Sequence, residues 1–339
     1  MPKTLAITGI AIHANATSCA YHCRYCQLAT SKPKPVAFAR YEALVERFIE
    51  WRTTSGRTDF GLWPWYGNSY EHDLDTLAGM LSLSRRLGHE HKVLLLGGIR
   101  HRSRSEMRDF LEVRRQLGID TLVSTFSGYE ECHDHWNNQR GNYRFQLDSL
   151  HLAAEMGMQL QQRMLLMRSS LPTLESVLAD LDGIESRQFT RWAILMFYSG
   201  RAQRLEDERL TEDDFGGLSP RLRACLREDW LNWKSERQWL AQVLAGTDEV
   251  RRTSLTFAVT ETSLDWAEHH SCEEILAHLE VQYRESVSRL PSTRELGKRY
   301  GDENSQRVYF NQVQMERLWM KRHLQVHPAD AHAASILFA

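Results

Sequence analysis

The chain lacks long apolar runs. Stretches such as Val93 to Leu96 fall far short of the about 20 residues that a membrane-crossing helix needs. It also lacks an excess of one charge. Lys and Arg number 42 and Asp and Glu 44, for a net charge of −2 and a pI near 6.7. That balance argues against a general nucleic-acid-binding surface, which would be strongly basic, though a local patch for a nucleotide or tRNA stays possible. Cysteine is scarce, with six in 339 residues, so a disulfide-dense scaffold is excluded. The start, Met1-Pro2-Lys3-Thr4-Leu5, shows no basic-then-apolar signal segment. The expected location is therefore the reducing cytoplasm. No internal repeat and no low-complexity tract is visible. Aromatic residues, by contrast, are plentiful. Ten Trp and eleven Tyr supply core, and some could line a cleft for a peptide or a ring.

Half of the cysteines fall in one short segment. Cys19, Cys23 and Cys26 form C-x-x-x-C-x-x-C, with Tyr25 just before the last. A disulfide is disfavoured by the expected compartment. Structural zinc needs four Cys or His ligands, commonly as two separated pairs. His13 or His22 could add a ligand, but no second C-x-x-C exists, and Cys132, Cys225 and Cys272 are isolated. Three cysteines packed as small apolar side chains would not sit in a run as polar as Tyr21-His22-Cys23-Arg24-Tyr25. A four-iron cubane is held by cysteine thiolates. Three thiolates leave one iron open to a small molecule, which a closed site cannot offer.

The rest of the N-terminal two thirds reads as strands alternating with helices, the pattern of a parallel sheet. Expected strands are Leu5 to Ile12, Asp59 to Trp65, Lys92 to Leu96, Asp120 to Phe126, Gln159 to Met167 and Trp192 to Tyr198. Helical spacing covers Tyr41 to Trp51, Leu74 to Leu87, Tyr143 to Met156 and Thr173 to Leu181. Ser103 and Glu106 form a capping-box pair ahead of another helix, which Gly118 closes. Past residue 202 the alternation weakens into amphipathic helices, with short strands at Ser254 to Thr260 and Val308 to Gln312. The last dozen residues read as loosely ordered. The expected division is 1–202 and an α-rich region, 203–339, that shapes a substrate cleft.

The cysteine spacing resembles the cluster loop of radical S-adenosylmethionine (SAM) enzymes. The resemblance implies an α/β fold, a partial (β/α)6 TIM-like barrel, with chemistry on loops at the C-terminal ends of the strands. It implies a [4Fe-4S] cluster on Cys19, Cys23 and Cys26, with SAM on the unique iron. The family's Gly-Gly-Glu-Pro-like segment after the second strand corresponds here to Tyr66-Gly67-Asn68-Ser69-Tyr70-Glu71. One glycine survives, a serine stands where the Glu is expected, and Glu71 is the substitute acceptor. The resemblance also assigns Tyr25 to the cofactor site. Ser124 and Ser127 fit the place of groups that reach the SAM ribose, and Arg163, a charge within an apolar strand, suits the SAM carboxylate. Cys132 and Cys225 are the candidates to return a hydrogen atom to a substrate radical.

The implied activity is reductive cleavage of SAM to a 5′-deoxyadenosyl radical, which takes hydrogen from a bound peptide or small biosynthetic substrate. Peptide epimerisation or crosslinking is preferred over nucleoside, sugar or tRNA chemistry. The implied partners are that substrate and a one-electron donor such as flavodoxin or ferredoxin. A non-catalytic, zinc-stabilised binding protein is the alternative from another class.

Overall fold

A computed structural model describes residues 5–17, 19–27, 36–67, 71–246 and 251–337. The alternation becomes two parallel sheets. In the first, β1 (Leu5–Ala14) lies between β2 (Gly61–Tyr66) and an unforeseen neighbour from far along the chain, Arg251–Val259. The second holds β3 (Val93–Leu95), β4 (Thr121–Phe126), β5 (Gln159–Leu166) and β6 (Phe189–Leu195) in chain order. The helices between them are α1 (Phe38–Thr54), α2 (Leu74–Arg86), α3 (Arg104–Gln116), α4 (Glu130–Asn137), α5 (Asn142–Glu155) and α6 (Leu174–Asp182). Six strands with their helices form the expected partial (β/α)6 barrel. It is open: among the described residues no ladder joins β2 to β3.

Side chains alternate across each strand, and the pattern of shared cores tells which face is which. Ile10, Ile12 and Ala14 of β1 share a buried cluster with Val45 and Phe48 of α1. Leu122 and Phe126 of β4, with Leu160 and Met164 of β5, share another with Leu111 of α3 and Leu150 of α5. Each such side chain, fully buried, contributes about 1.5–3 kcal/mol. The residues between them face the barrel interior: Gly9, Ala11 and His13; Val123 and Thr125; Gln161, Arg163 and Leu165. The capping box at α3 forms as expected, with the Ser103 N–H donating to Glu106 at 2.8 Å.

Three expectations shift. The apolar run placed β6 at Trp192 to Tyr198, but the strand starts at Phe189, paired with Leu160 of β5. Its far end leaves the sheet because the Tyr198 N–H donates to Gln314 and its ring joins a C-terminal core. Glu130–Asn137, outside the expected helices, is helix α4. The last dozen residues include a helix, Ala331–Leu337, with Ala333 and Ala334 buried.

After β6 come α7 (Glu212–Gly216), α8 (Pro220–Ala224), β7 (Lys234–Ser235), α9 (Glu236–Ala245) and β8, the Arg251–Val259 strand already met. Then follow α10 (Glu261–Glu268), α11 (Cys272–Arg289), α12 (Thr293–Tyr300), β9 (Val308–Tyr309), α13 (Gln312–Val326) and α14 (Ala331–Leu337). This is the expected α-rich extension, yet β8 returns to pair with β1 along its length, from Leu5↔Arg251 to Ala14↔Val259. Among the described residues, no helix is long and apolar enough to cross a membrane.

Candidate functional site

The cysteine segment leaves the C-terminal end of β1 and crosses the barrel mouth. Its backbone is tied on three sides. The Ala20 N–H donates to the Gly98 carbonyl beyond β3 (2.9 Å). The Arg24 N–H donates to Trp136 O (2.8 Å), and its Nε–H to His135 O (2.9 Å). The Arg201 N–H, just past β6, donates to Cys26 O (2.8 Å). The last turn of a helix leaves carbonyls without helical partners, and the loop supplies donors to those of α4. Gly200 is the contact point on the β6 side. Its φ is +53°, and a Cβ there would lie 2.6 Å from Cys26 O and 2.5 Å from Gln27 O.

The three cysteines are in no disulfide and are half-buried. Burial, then the neighbouring Cys19 and Cys26, pushes the Cys23 thiol up to about 12. Burial also raises Cys19, with Cys26 adding to it. The three sulfurs therefore feel one another, and a cation arriving among them would relieve both burdens by taking thiolates. Among the described residues, no group of three or more His, Cys, Asp or Glu converges as a site for a single metal ion. A cubane asks for something different, one thiolate for each of several irons around its outside. The donor chemistry, three thiols on the loop after β1, fits such a cluster.

The loop is backed by α4. Asn137 Oδ1 accepts from the Tyr25 hydroxyl (2.9 Å) and from the Cys23 thiol (3.4 Å). Asn137 Nδ2 donates to Ser127 Oγ and to the His133 carbonyl, both at 2.9 Å. His133 is wholly buried, and burial drives its imidazole down to about 3. Its Nδ1 accepts from the Ser127 N–H at 3.1 Å, and the Asn142 Nδ2 lies 2.9 Å from Nε2. Asn142 in turn meets His101 Nε2 at 3.2 Å.

The sequence-derived residues divide by position. Tyr25 and Ser127 stand in this network. Gly67 follows β2 with φ +91°, and its N–H donates to Ala14 O (2.8 Å). A Cβ at Gly67 would lie 2.4 Å from Thr17 Oγ1, so only glycine allows the two loops to meet. Asn68 and Ser69 lie outside the described residues. Glu71 is already engaged. Burial pushes its carboxyl up, but Arg102 and the Arg100 N–H overcome this and hold it below its usual value. The Arg102 fork reaches it at 2.9 and 2.6 Å. Arg163 is half-buried on the interior face, beside Thr125 and Trp192 in register. Ser124 alternates with Leu122 and Phe126, so it faces the helices, as does its register partner Gln162. Cys132, on α4, packs with Tyr25, Trp136 and Met167 at the mouth. Cys225 packs instead against the helix-side core. Sequence reasoning missed Asn137, Asn142 and His101.

A cavity of about 910 Å³ runs along β8, lined among others by Ser254, Thr256, Ala258, Trp266, His278 and Tyr283. The upper end of β8 sits beside Ala14, at the root of the cysteine loop.

No protein-family model matches the chain, and no curated protein matches it in sequence. Among solved structures, Streptococcus suis SuiB bound to its precursor peptide SuiA is similar at a TM-score of 0.44 and 10% identity, over 75% of this chain and 50% of that one. The chain thus spans half the length of SuiB. The structure of anSMEcpe with bound AdoMet is similar at 0.42 and 12% identity, over 96% of this chain and 99% of that one. Coproporphyrinogen III oxidase (HemN) from Escherichia coli, a radical SAM enzyme, is similar at 0.38 and 14% identity, over 60% of this chain and 48% of that one.

Proposed function

We propose that the chain is a radical SAM enzyme acting on a peptide. The observation that carries this is the C-x-x-x-C-x-x-C loop itself, placed directly after the first strand of an open parallel barrel and anchored across its mouth. Cys19, Cys23 and Cys26 would hold the cluster. When bound, a reduced [4Fe-4S] cluster and SAM supply a 5′-deoxyadenosyl radical for hydrogen abstraction. The chain's own residues orient and shield. Gly67 lets the β2 loop approach the cysteine loop closely enough for its backbone to meet a SAM amino group, with Asn68 and Ser69 following it. Arg163, on the interior face, suits a carboxylate, and Ser127 a ribose hydroxyl. The engaged Glu71 supports the backbone near Arg100. The small apolar group of Trp136, Leu165, Met167 and Met196 keeps water from the mouth.

The cavity beside β8 supports a peptide over a compact sugar. Its volume is about 910 Å³, hydroxyl side chains such as Ser254 and Thr256 line it, and it follows β8, the strand paired with β1. The electron donor would be a flavodoxin- or ferredoxin-like protein. The site of a returning hydrogen atom would be Cys132, since it lies in the mouth cluster and Cys225 does not. Cys132→Ala is then expected to keep SAM cleavage and lose epimerised peptide; product at the normal rate would remove that role.

The test is anaerobic iron and sulfide reconstitution, then SAM and a strong reductant, with 5′-deoxyadenosine as the readout. Brown protein that forms it, and loses it in Cys23→Ala, is the expected result. A colourless chain that takes up zinc instead would replace the enzyme reading with a metal-stabilised binding protein.

A further inference from the structure

Among the described residues, the outer edge of β8 has no partner strand. Which backbone groups face that edge follows from the sheet itself. In a parallel sheet the N–H and C=O of one residue turn to the same neighbour, and successive residues alternate. The carbonyl of Ala14, a helix-side residue of β1, accepts from the Gly67 N–H just past β2. The carbonyl of Val123, an interior residue of β4, accepts from the Leu96 N–H just past β3. Along the order β8, β1, β2 and then β3 to β6, helix-side residues therefore bond forward and interior ones backward. On β8 the helix-side residues are Leu255, Phe257 and Val259, which bond to β1. Thr253, of the same set, has its carbonyl 3.2 Å from Thr8 Oγ1 of β1, as the rule requires. Ser254, Thr256 and Ala258 then turn their N–H and C=O to the open edge.

That edge is not guarded. Natural edges are blunted by lysine, proline or inward-pointing charge, and Thr253–Val259 carries no charge and no proline. Ser263 Oγ donates to the Ala258 carbonyl at 2.9 Å, and the Thr253 hydroxyl lies 3.4 Å from Ser254 O. The cavity of about 910 Å³ lies against every residue from Thr253 to Ala258, and Trp266, Leu279, Tyr283, Val313 and Leu337 wall it. Val259, where β8 ends, is level with Ala14, where β1 ends. We propose that this edge is a strand-addition site, at which a segment of the substrate peptide pairs in extended form with β8. The inference rests on the peptide reading above and adds how the peptide is held. Backbone groups at residues i and i+2 recur about every 6.6 Å, a spacing that an extended polypeptide matches. A second folded copy would bring its own α11 and α14 against these walls, whereas a single strand brings none. The side chains of an added strand alternate. One row meets Trp266, Leu279 and Tyr283, which belong to the helix-side core, and the other continues the row of Ser254 and Thr256. The segment that fits alternates apolar and hydroxyl-bearing residues.

The probe is a fluorescein-labelled peptide of alternating valine and threonine with lysine at each end, and anisotropy with the full chain is the readout. Neither cluster nor SAM is needed. Expected is saturable binding that N-methylation of one set, the valines or the threonines, abolishes, while methylation of the other set spares it. Only one set turns its N–H to β8. Binding is expected to weaken about tenfold in Thr256→Pro, whose missing N–H faces the groove and not β1, and to persist in Thr256→Val, which keeps the backbone donor. Should Thr256→Pro fail to fold, the methylated probes decide on wild type alone. No saturable binding to wild type, or equal binding by the two methylated probes, overturns the inference. So does a wild-type dimer that binds no probe and that Thr256→Pro makes monomeric, because the edge then belongs to a second copy. The cluster reading is decided separately by the 5′-deoxyadenosine assay. Probe binding by a chain that forms none removes the enzyme reading and leaves the edge as a peptide site.

Discussion

At the scale of single residues, burial decides more than charge. His133 is fully enclosed and neutral, with its imidazole depressed to about 3 by loss of water. Between pH 6.5 and 3 the unfolded chain binds a proton there that the folded chain refuses. Stability therefore rises with pH in that window and is lost as the pH falls through it, by up to about 1.4 kcal/mol per unit. Half-buried His13 and buried His72 act in the same direction, also by loss of water. The comparison that isolates His133 is the urea midpoint against pH in wild type and His133→Gln. The variant is expected to show a shallower fall below pH 6.5; equal slopes would mean that His133 does not carry this linkage. The cysteine triplet was legible at this scale because its spacing is local. Asn137 was not, since nothing in Glu130–Asn137 tells which side chain will meet Cys23. Nor could the sequence choose between Ser124 and Thr125. In a parallel sheet both faces are covered and both read as apolar, so periodicity fixes alternation and not its sense.

At the scale of elements, the site depends on how helix and strand ends meet. The free carbonyls at the end of α4 hold the loop at Arg24, and the start of the segment after β6 holds it at Cys26. Gly200 makes the second contact possible through its positive φ and missing side chain. Gly200→Ala is expected to leave helical content and the unfolding midpoint near wild type, because the strain falls on a surface loop. It should cut iron incorporation several-fold, because the added methyl displaces the backbone of Cys26 and Gln27. Iron content and far-ultraviolet circular dichroism measured on the same sample check both halves. The elements themselves were largely legible: the α3 capping box and the first five strands fall within a few residues of their expected bounds. β6 was misplaced because its apolar run continues into residues that pack elsewhere, Tyr198 against the C-terminal core.

At the scale of the whole molecule, β8 ties the C-terminal region back to β1. Thr8 Oγ1 donates to Thr253 O across a separation of 245 residues, and Leu255, Phe257 and Val259 complete the core under β1 and α1. Phe257→Ala is thus expected to cost about 3–5 kcal/mol and to loosen the root of the cysteine loop as well as the C-terminal region. Thermal unfolding followed together with hydrogen exchange at β1 reads this. Protection of β1 unchanged in the variant would mean that β8 stabilises only its own surroundings.

The sequence by itself determined the local chemistry: three thiols at cluster spacing, a strand leading into them, and the helix–strand alternation that makes a parallel barrel. These depend on neighbours within a few residues, where spacing is geometry. Tertiary structure alone decided that Asn137 backs Cys23, that Arg102 takes up Glu71, that Cys132 lies at the mouth while Cys225 does not, and that β8 pairs with β1. Those contacts join residues far apart in the chain, and they form only when strands and helices have packed and brought the strand ends together.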